Sequence, residues 1–257
     1  MSSSEITLAE IFAEKNYKTG IFGKWHLGDN YPSRPSDQGF QESLIHLAGG
    51  IGQVGDFTNY YAGNESYYDP ALWYNNEIKK YEGYCSDIFT DEALKFIEQN
   101  KSNQFFCYLS FNAPHTPLQV PEKYYDLYKD IDPSNFYDEV TYEMTERDVN
   151  DAKKIYGMVT NIDENFGKLL YKLEELDIKE NTIVIFLTDN GPQQTRYVSN
   201  LRGLKSQVYN GGIKVPLYFS YPKLYKKAED IDFFGAHIDV LPTLSKLCKL
   251  TIPSDRQ

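Results

Sequence analysis

An α/β fold, with a mostly parallel sheet flanked by helices on both faces, is what this sequence predicts, and three observations predict it. Short apolar runs of strand length alternate with segments of helical spacing along the whole chain. One of those segments, 151–173, carries a continuous apolar stripe on a polar helix. The 257 residues, 41% hydrophobic and 25% charged, are enough for one large domain with a well-buried core. No internal repeat, low-complexity tract or linker interrupts the pattern, so the chain reads as a single domain, 1–257.

Taken in order, Thr7 and Glu10 form a T-x-x-E capping box that opens a helix over 8–16. Residues 17–22 read as a buried strand that Gly23 breaks. The glycine-rich stretch 39–56 is expected to be loop and turn, and 60–84, rich in Tyr, Asn and Gly, an irregular hairpin region. Helical spacing returns over 87–99, at Ile88, Ala93, Leu94 and Ile97. A buried strand over 105–111 ends at Asn112-Ala113-Pro114-His115. Residues 121–149, acidic and aromatic, form a long surface excursion. The stripe of the next helix consists of Ile155, Met158, Val159, Ile162, Phe166, Leu169, Leu170 and Leu173. A β-branched strand over 182–187 runs into Thr188-Asp189-Asn190-Gly191-Pro192. A strand over 215–221 and a helix over 238–247 complete the pattern.

The formal net charge of −11 argues against nucleic acid and anionic membrane as general partners. An anionic substrate must therefore be drawn in by local charge or by a metal. The 22 Tyr and 15 Phe would suit a carbohydrate-lined cleft, although core and surface packing is their commoner use. Residues 1–5 have neither the basic region nor the apolar core of a signal peptide, and no apolar run is long enough to span a bilayer. Cys85, Cys107 and Cys248 lie far apart with no metal or redox spacing, and Cys107 reads as a small core residue.

Chemistry concentrates where strands end. Lys24 and His26 follow a buried strand, and ligands of α/β sheets bind outside the carboxyl ends of strands. Together they supply what an anionic substrate needs: one fixed positive charge and one group able to donate or accept a proton. His115 stands between Pro114 and Pro117 on a stiffened backbone; in isolation such a histidine is more often structural. Asp189-Asn190 offers a carboxylate and an amide carbonyl, hard oxygen donors that suit Ca²⁺ or Mg²⁺, although Asp-Asn-Gly is also a common turn. His46 has no motif and defaults to a structural role.

The words Tyr17-Lys18-Thr19-Gly20 and Gly23-Lys24-Trp25-His26-Leu27-Gly28 resemble the second signature of the sulfatase family. Pro114-His115-Thr116-Pro117, Thr188-Asp189-Asn190-Gly191-Pro192 and Arg202-Gly203-Leu204-Lys205 are similar to further words of that family, so the resemblance runs almost the length of the chain. It implies an alkaline-phosphatase-like core and a sulfuric ester hydrolase acting on sulfated carbohydrate or aryl sulfate. By the same resemblance Lys24 and His26 orient a nucleophile, His115 contacts sulfate and helps protonate the leaving oxygen, and Lys205 points into the sulfate pocket. Asp189 and Asn190 ligate Ca²⁺, with Mg²⁺ as the alternative. Arg202 is a structural or rim residue, Asn210 stands where the family usually has an acidic residue, and His237 and Asp239 hold the packing of the last helix.

The family's nucleophile is a formylglycine made from Cys or Ser in a C/S-x-P-x-R word, and an Asp-Asp pair completes its metal site. Neither word is found here: no Cys has Pro two residues on, Asn30-Tyr31-Pro32-Ser33-Arg34 begins with Asn, and Ser33-Arg34-Pro35-Ser36-Asp37 lacks the final Arg. The expectation is an incomplete sulfatase core lacking its first strands and its C-terminal subdomain, inactive as an isolated chain because the nucleophile is absent. The alternatives are a non-catalytic truncated remnant and a phosphoester hydrolase of the same superfamily. Family members are usually exported, but this chain carries no signal that sets its compartment, and its oligomeric state is equally open.

Overall fold

The structure is a computed structural model and describes residues 5–60, 65–136 and 143–253. It resolves into two units, Met1–Asn112 with Ala228–Gln257, and Ala113–Lys227. In the first, α1 (Leu8–Glu14) opens on the expected capping box. Thr7 Oγ1 accepts from the Glu10 amide at 3.1 Å, and Glu10 Oε2 accepts from the Thr7 amide at 2.7 Å. The chain then enters β1 (Lys18–Lys24), passes a 3-10 turn at Pro35–Gln38, and forms β2 (Glu42–His46), β3 (Ala71–Tyr74) and β4 (Glu77–Lys80). Helix α2 (Cys85–Gln99) and β5 (Phe105–Ser110) follow.

These five strands make one mixed sheet in the order β4-β3-β2-β1-β5. β1 is parallel to both neighbours, with Lys24 opposite His46 and Gly23 opposite Ser110. β3 and β4 add an antiparallel hairpin through Asn75 and Asn76, both at positive φ (48° and 69°), as a two-residue hairpin turn requires. Side chains alternate across β1. Ile21 and Trp25 join Ala9, Phe40, Ile45 and Leu47 in a core on the α1 side, while Phe22 meets Phe96 of α2 at 5.6 Å between ring centroids. Helices therefore cover both faces of the parallel part.

Several local expectations fail. The strand over 105–111 is not buried: no residue of β5 is fully covered, Tyr108 is exposed, and Cys107 is half-buried rather than a core residue. The stretch 39–56 is not all loop, because β2 lies inside it. Ser43, Leu44, Ile45 and His46 are all buried, so β2 has no polar face, and its glycine flanks conceal it. Gly23 does not end β1 but sits within it at φ 125°, where a side chain would overlap the backbone carbonyl of Ser110.

In the second unit, α3 (Glu122–Tyr125) and a 3-10 turn at Pro133–Phe136 occupy the expected surface excursion. It is less superficial than expected: Tyr124 is buried, donating to Glu164 Oε2 at 2.6 Å. Residues 137–142 lie outside the described residues. Helix α4 (Glu146–Glu175) begins five residues before the expected start at 151, on a second capping box between Thr145 and Asp148. Ile155, Met158, Ile162 and Leu173 of the stripe are buried, whereas Val159 is exposed. β6 (Val184–Leu187) and β7 (Leu217–Ser220) pair antiparallel, and Phe186 reaches Phe166 of α4 at 5.5 Å. α5 (Asn210–Ile213) precedes β7. The last helix, α6 (Val240–Leu247), follows a 3-10 turn at His237–Asp239 and belongs to the first unit. There Asp239 Oδ2 accepts from the Ala236 amide at 2.7 Å, which ties the turn that enters the helix. Among the described residues, no helix is long and apolar enough to cross a membrane.

Candidate functional site

Lys24 is the last residue of β1, and Ser110 Oγ donates to its carbonyl at 2.7 Å, clamping the strand end to β5. Trp25 then turns inward. Its indole is buried, meets Phe40 edge-on at 5.8 Å, and donates through Nε1 to the Gly28 carbonyl at 3.1 Å and the Ser33 carbonyl at 2.8 Å. One buried donor thus ties both ends of the 28–33 loop to the core. His26 is left exposed at φ 51°, its Cε1 2.6 Å from where a Cβ on Gly49 would stand, so its ring lies against the loop after β2. Asp29 Oδ1, accepting from the Ala48 amide at 3.4 Å, joins the same two loops. A half-buried lysine that ends a parallel strand is thus followed, two residues on, by an exposed histidine.

Sequence reasoning left His46 in a loose loop. It lies fully buried at the end of β2, beside Lys24, and its Nδ1–H donates to the Leu47 carbonyl at 2.8 Å. The run Leu44-Ile45-His46-Leu47 between glycines was the available signal for that strand. Asp56, also unremarked, is buried and accepts from the Gly52 amide, Thr58 Oγ1 and Asn59 Nδ2 at 2.8, 2.8 and 3.0 Å, which organises the 50–60 loop.

In the second unit, His115 is half-buried and its Nδ1 lies 2.8 Å from the Thr116 carbonyl. A carbonyl can only accept, so Nδ1 carries the proton and Nε2 is the nitrogen whose protonation can change. Asp189 and Asn190 follow β6. Asp189 Oδ1 accepts from the Asn190 amide at 2.9 Å, and Asn190 Nδ2 donates to the Gly191 carbonyl at 2.9 Å, which turns the amide oxygen away from that carbonyl. The donor set, an exposed carboxylate and a half-buried amide oxygen, is right in kind for a hard cation and supplies two of the roughly six to eight oxygens that Ca²⁺ takes. Among the described residues no group of three or more His, Cys, Asp or Glu converges on a metal position.

The structure brings Lys205 to this loop. Its amide donates to the Pro192 carbonyl at 2.7 Å, the Gly191 amide to the Gly212 carbonyl at 2.8 Å, and the Gly211 amide to the Arg202 carbonyl at 2.7 Å. Three backbone segments meet here without side chains between them: a Cβ on Gly191 would overlap the Gly211 carbonyl, and one on Gly211 that of Gly203. Arg202 lies over the Tyr209 ring at 4.0 Å.

The family model for sulfatases matches residues 2–250. An arylsulfatase of Hemicentrotus pulcherrimus is 29% identical over 273 residues, covering 100% of this chain and 45% of that protein. An ulvan-active sulfatase of Formosa agariphila is 27% identical over 267 residues, covering 98% of this chain and 48% of that protein. The crystal structure of Ps i-CgsB in complex with k-i-k-neocarrahexaose superposes with a TM-score of 0.83 at 27% identity, over 99% of this chain and 55% of that one. The chain thus spans about half the length of the relatives it matches and has the alkaline-phosphatase-like sulfatase fold. By its sequence, the placement of its strand-end words and these matches, the chain belongs to the sulfatase family.

Proposed function

We propose that this chain is part of a sulfuric ester hydrolase acting on sulfated carbohydrate or aryl sulfate esters. The observation that carries this reading is the turn after β1, where a lysine and a histidine stand at the strand end on either side of Trp25, whose buried indole ties down the loop that follows. Lys24 is assigned as the fixed cation that donates to sulfate oxygens, and His26 as the group that orients the ester and holds or moves a proton. His115, with Nδ1–H held on the Thr116 carbonyl, passes a proton through Nε2 to the departing oxygen. Lys205 offsets sulfate charge at the junction beside Asp189.

Asp189 and Asn190 would hold Ca²⁺ or Mg²⁺. When bound, such an ion supplies Lewis-acid polarisation of a sulfate oxygen. The 257 residues contain no C/S-x-P-x-R word, and burial pushes the Cys85 and Cys107 thiols up, away from the thiolate. No step is therefore assigned to a formylglycine or cysteine of this chain, and the isolated chain binds a sulfate ester without turning it over.

Calorimetry and absorbance with p-nitrophenyl sulfate and p-nitrophenyl phosphate, with and without Ca²⁺, test the reading. The sulfate ester should bind in preference to the phosphate ester. Lys24→Ala should weaken it about tenfold, the worth of one charge-assisted hydrogen bond. Preference for the phosphate ester would overturn the substrate class. Release of p-nitrophenol from the sulfate ester, abolished by EDTA, would overturn the inactivity of the isolated chain.

A further inference from the structure

Lys205 occupies the second position of a four-residue turn. The Gln207 amide donates to the Leu204 carbonyl at 3.0 Å, and Gln207 Oε1 accepts from the Leu204 amide at 3.1 Å. Ser206, the third residue of that turn, stands at φ 69°, a region that a residue with a side chain keeps only where its surroundings hold it there. The turn has little core beneath it, since residues 206–210 are all exposed.

Closure comes instead from the two flanks of the turn. The Arg202 guanidinium lies over the Tyr209 ring, 4.0 Å from its centroid, and so joins the residues on either side. Gly203, buried at φ 103°, makes that approach possible, because a Cβ there would stand 2.6 Å from Tyr209 Cβ. The backbone closes beside the stack, where the Gly211 amide donates to the Arg202 carbonyl at 2.7 Å and the Gly212 amide to the Tyr209 carbonyl at 2.8 Å. Among the described residues no carboxylate pairs with Arg202, and the ring is what holds its side chain. A ring face fixes the guanidinium without cancelling its charge, so the turn stays electropositive on a chain of net charge −11.

We propose that Arg202 and Tyr209 form a latch that closes the 203–208 turn and keeps the Lys205 backbone docked on the Pro192 carbonyl. Both are positioning residues: neither touches the ester, and each acts through Lys205. The proposal rests on the sulfatase reading for what Lys205 meets, whereas the closing of the turn stands without it. Its effect on affinity has a ceiling, because losing the latch cannot cost more than losing Lys205, a charge-assisted contact worth about tenfold.

The test uses the full chain, with p-nitrophenyl sulfate in calorimetry and, without ligand, hydrogen exchange read by mass spectrometry. Tyr209→Leu and Arg202→Met each remove one half of the stack. Each should weaken the sulfate ester about two- to fivefold, the worth of an exposed cation–π contact, and speed exchange over 203–208. Tm should stay within about 2 °C of the parent. Tyr209→Phe keeps the ring and should match the parent in both readouts. The deciding comparison is made in a Lys205→Ala background, where Tyr209→Leu should weaken the ester no further, since nothing is left to position. If Arg202→Met still lowers affinity in that background, Arg202 meets the ester itself and the latch is overturned. Exchange over 203–208 that is unchanged in Tyr209→Leu, or equally fast in Tyr209→Phe, overturns it as well. If the parent binds no sulfate ester, the sulfatase reading falls, and the exchange comparison alone sustains or overturns the latch.

Discussion

Replacing Trp25 by Phe isolates the device that holds the strand-end loop. The phenyl ring retains most of the contact with Phe40 but removes the one N–H that serves the Gly28 and Ser33 carbonyls. Loss of the bond costs about 1 kcal/mol net. Leaving carbonyls in a part-buried setting without their donor costs a further 1 kcal/mol or so. The smaller ring adds a packing loss of similar size, for a total of about 2–3 kcal/mol. For a chain of this length that corresponds to a fall in Tm of roughly 4–12 °C. Hydrogen exchange read by mass spectrometry should show faster exchange confined to 26–34, and p-nitrophenyl sulfate should bind less tightly because His26 has lost its support. If Trp25→Phe melts within about 1 °C of the parent and exchange over 26–34 is unchanged, the indole is not what holds the loop and the placement argument for His26 falls.

Gly23→Ala should be far more damaging than its size suggests. The residue has φ 125° and its Cβ would run into the Ser110 carbonyl, so a loss above about 3 kcal/mol and poor soluble yield are expected, read by circular dichroism and expression. Gly191→Ala should spread the junction that places Lys205, with faster amide exchange over 189–192 and 203–212. Burial raises Cys107 from an ordinary value of 9.0 to about 12, so its folded state favours the neutral thiol. Its contribution to stability is complete below about pH 9 and is lost as pH rises towards 12, and titration with a thiol reagent at pH 8 should find the buried Cys85 unreactive until the protein is unfolded.

Elements with a clear period were legible. α4 announced itself through its stripe, α1 through Thr7 and Glu10, and β5 through a short apolar run ended by Asn112 and Pro114. β2 was not, because a strand buried on both faces has no alternation to read and its neighbours are glycines. Gly23 was misread for a related reason. From sequence a glycine after an apolar run signals a break, and only the close approach of Ser110 on β5, 87 positions away, shows that it keeps two strands together. The site followed the same division. The positions of Lys24, His26, His115, Asp189 and Asn190 at or just after strand ends were legible because they sit in words that follow apolar runs. The Lys205 amide on the Pro192 carbonyl, and the Trp25 donor shared by two carbonyls, are long-range or loop geometry that no local pattern encodes.

The two strand-end regions suggest why such words are compact. Each interleaves residues that the proposed function assigns to a ligand with residues that let backbone approach backbone. In one, Gly23 and Trp25 hold the chain so that Lys24 and His26 can stand out from it; in the other, Gly191 and Gly211 hold it for Asp189, Asn190 and Lys205. The division makes a sharp expectation about stability. In the proposed assignment Lys24, Asp189 and Lys205 serve a ligand through their side chains, so replacing any of them with Ala should lower ligand affinity while leaving Tm within about 2 °C of the parent, the size of an ordinary surface substitution. The holders should do the reverse, losing fold first and binding only as a consequence. If Lys24→Ala destabilised the protein as much as Trp25→Phe, Lys24 would be a structural member of the β1 end, and the case for an anion site there would rest on His26 alone.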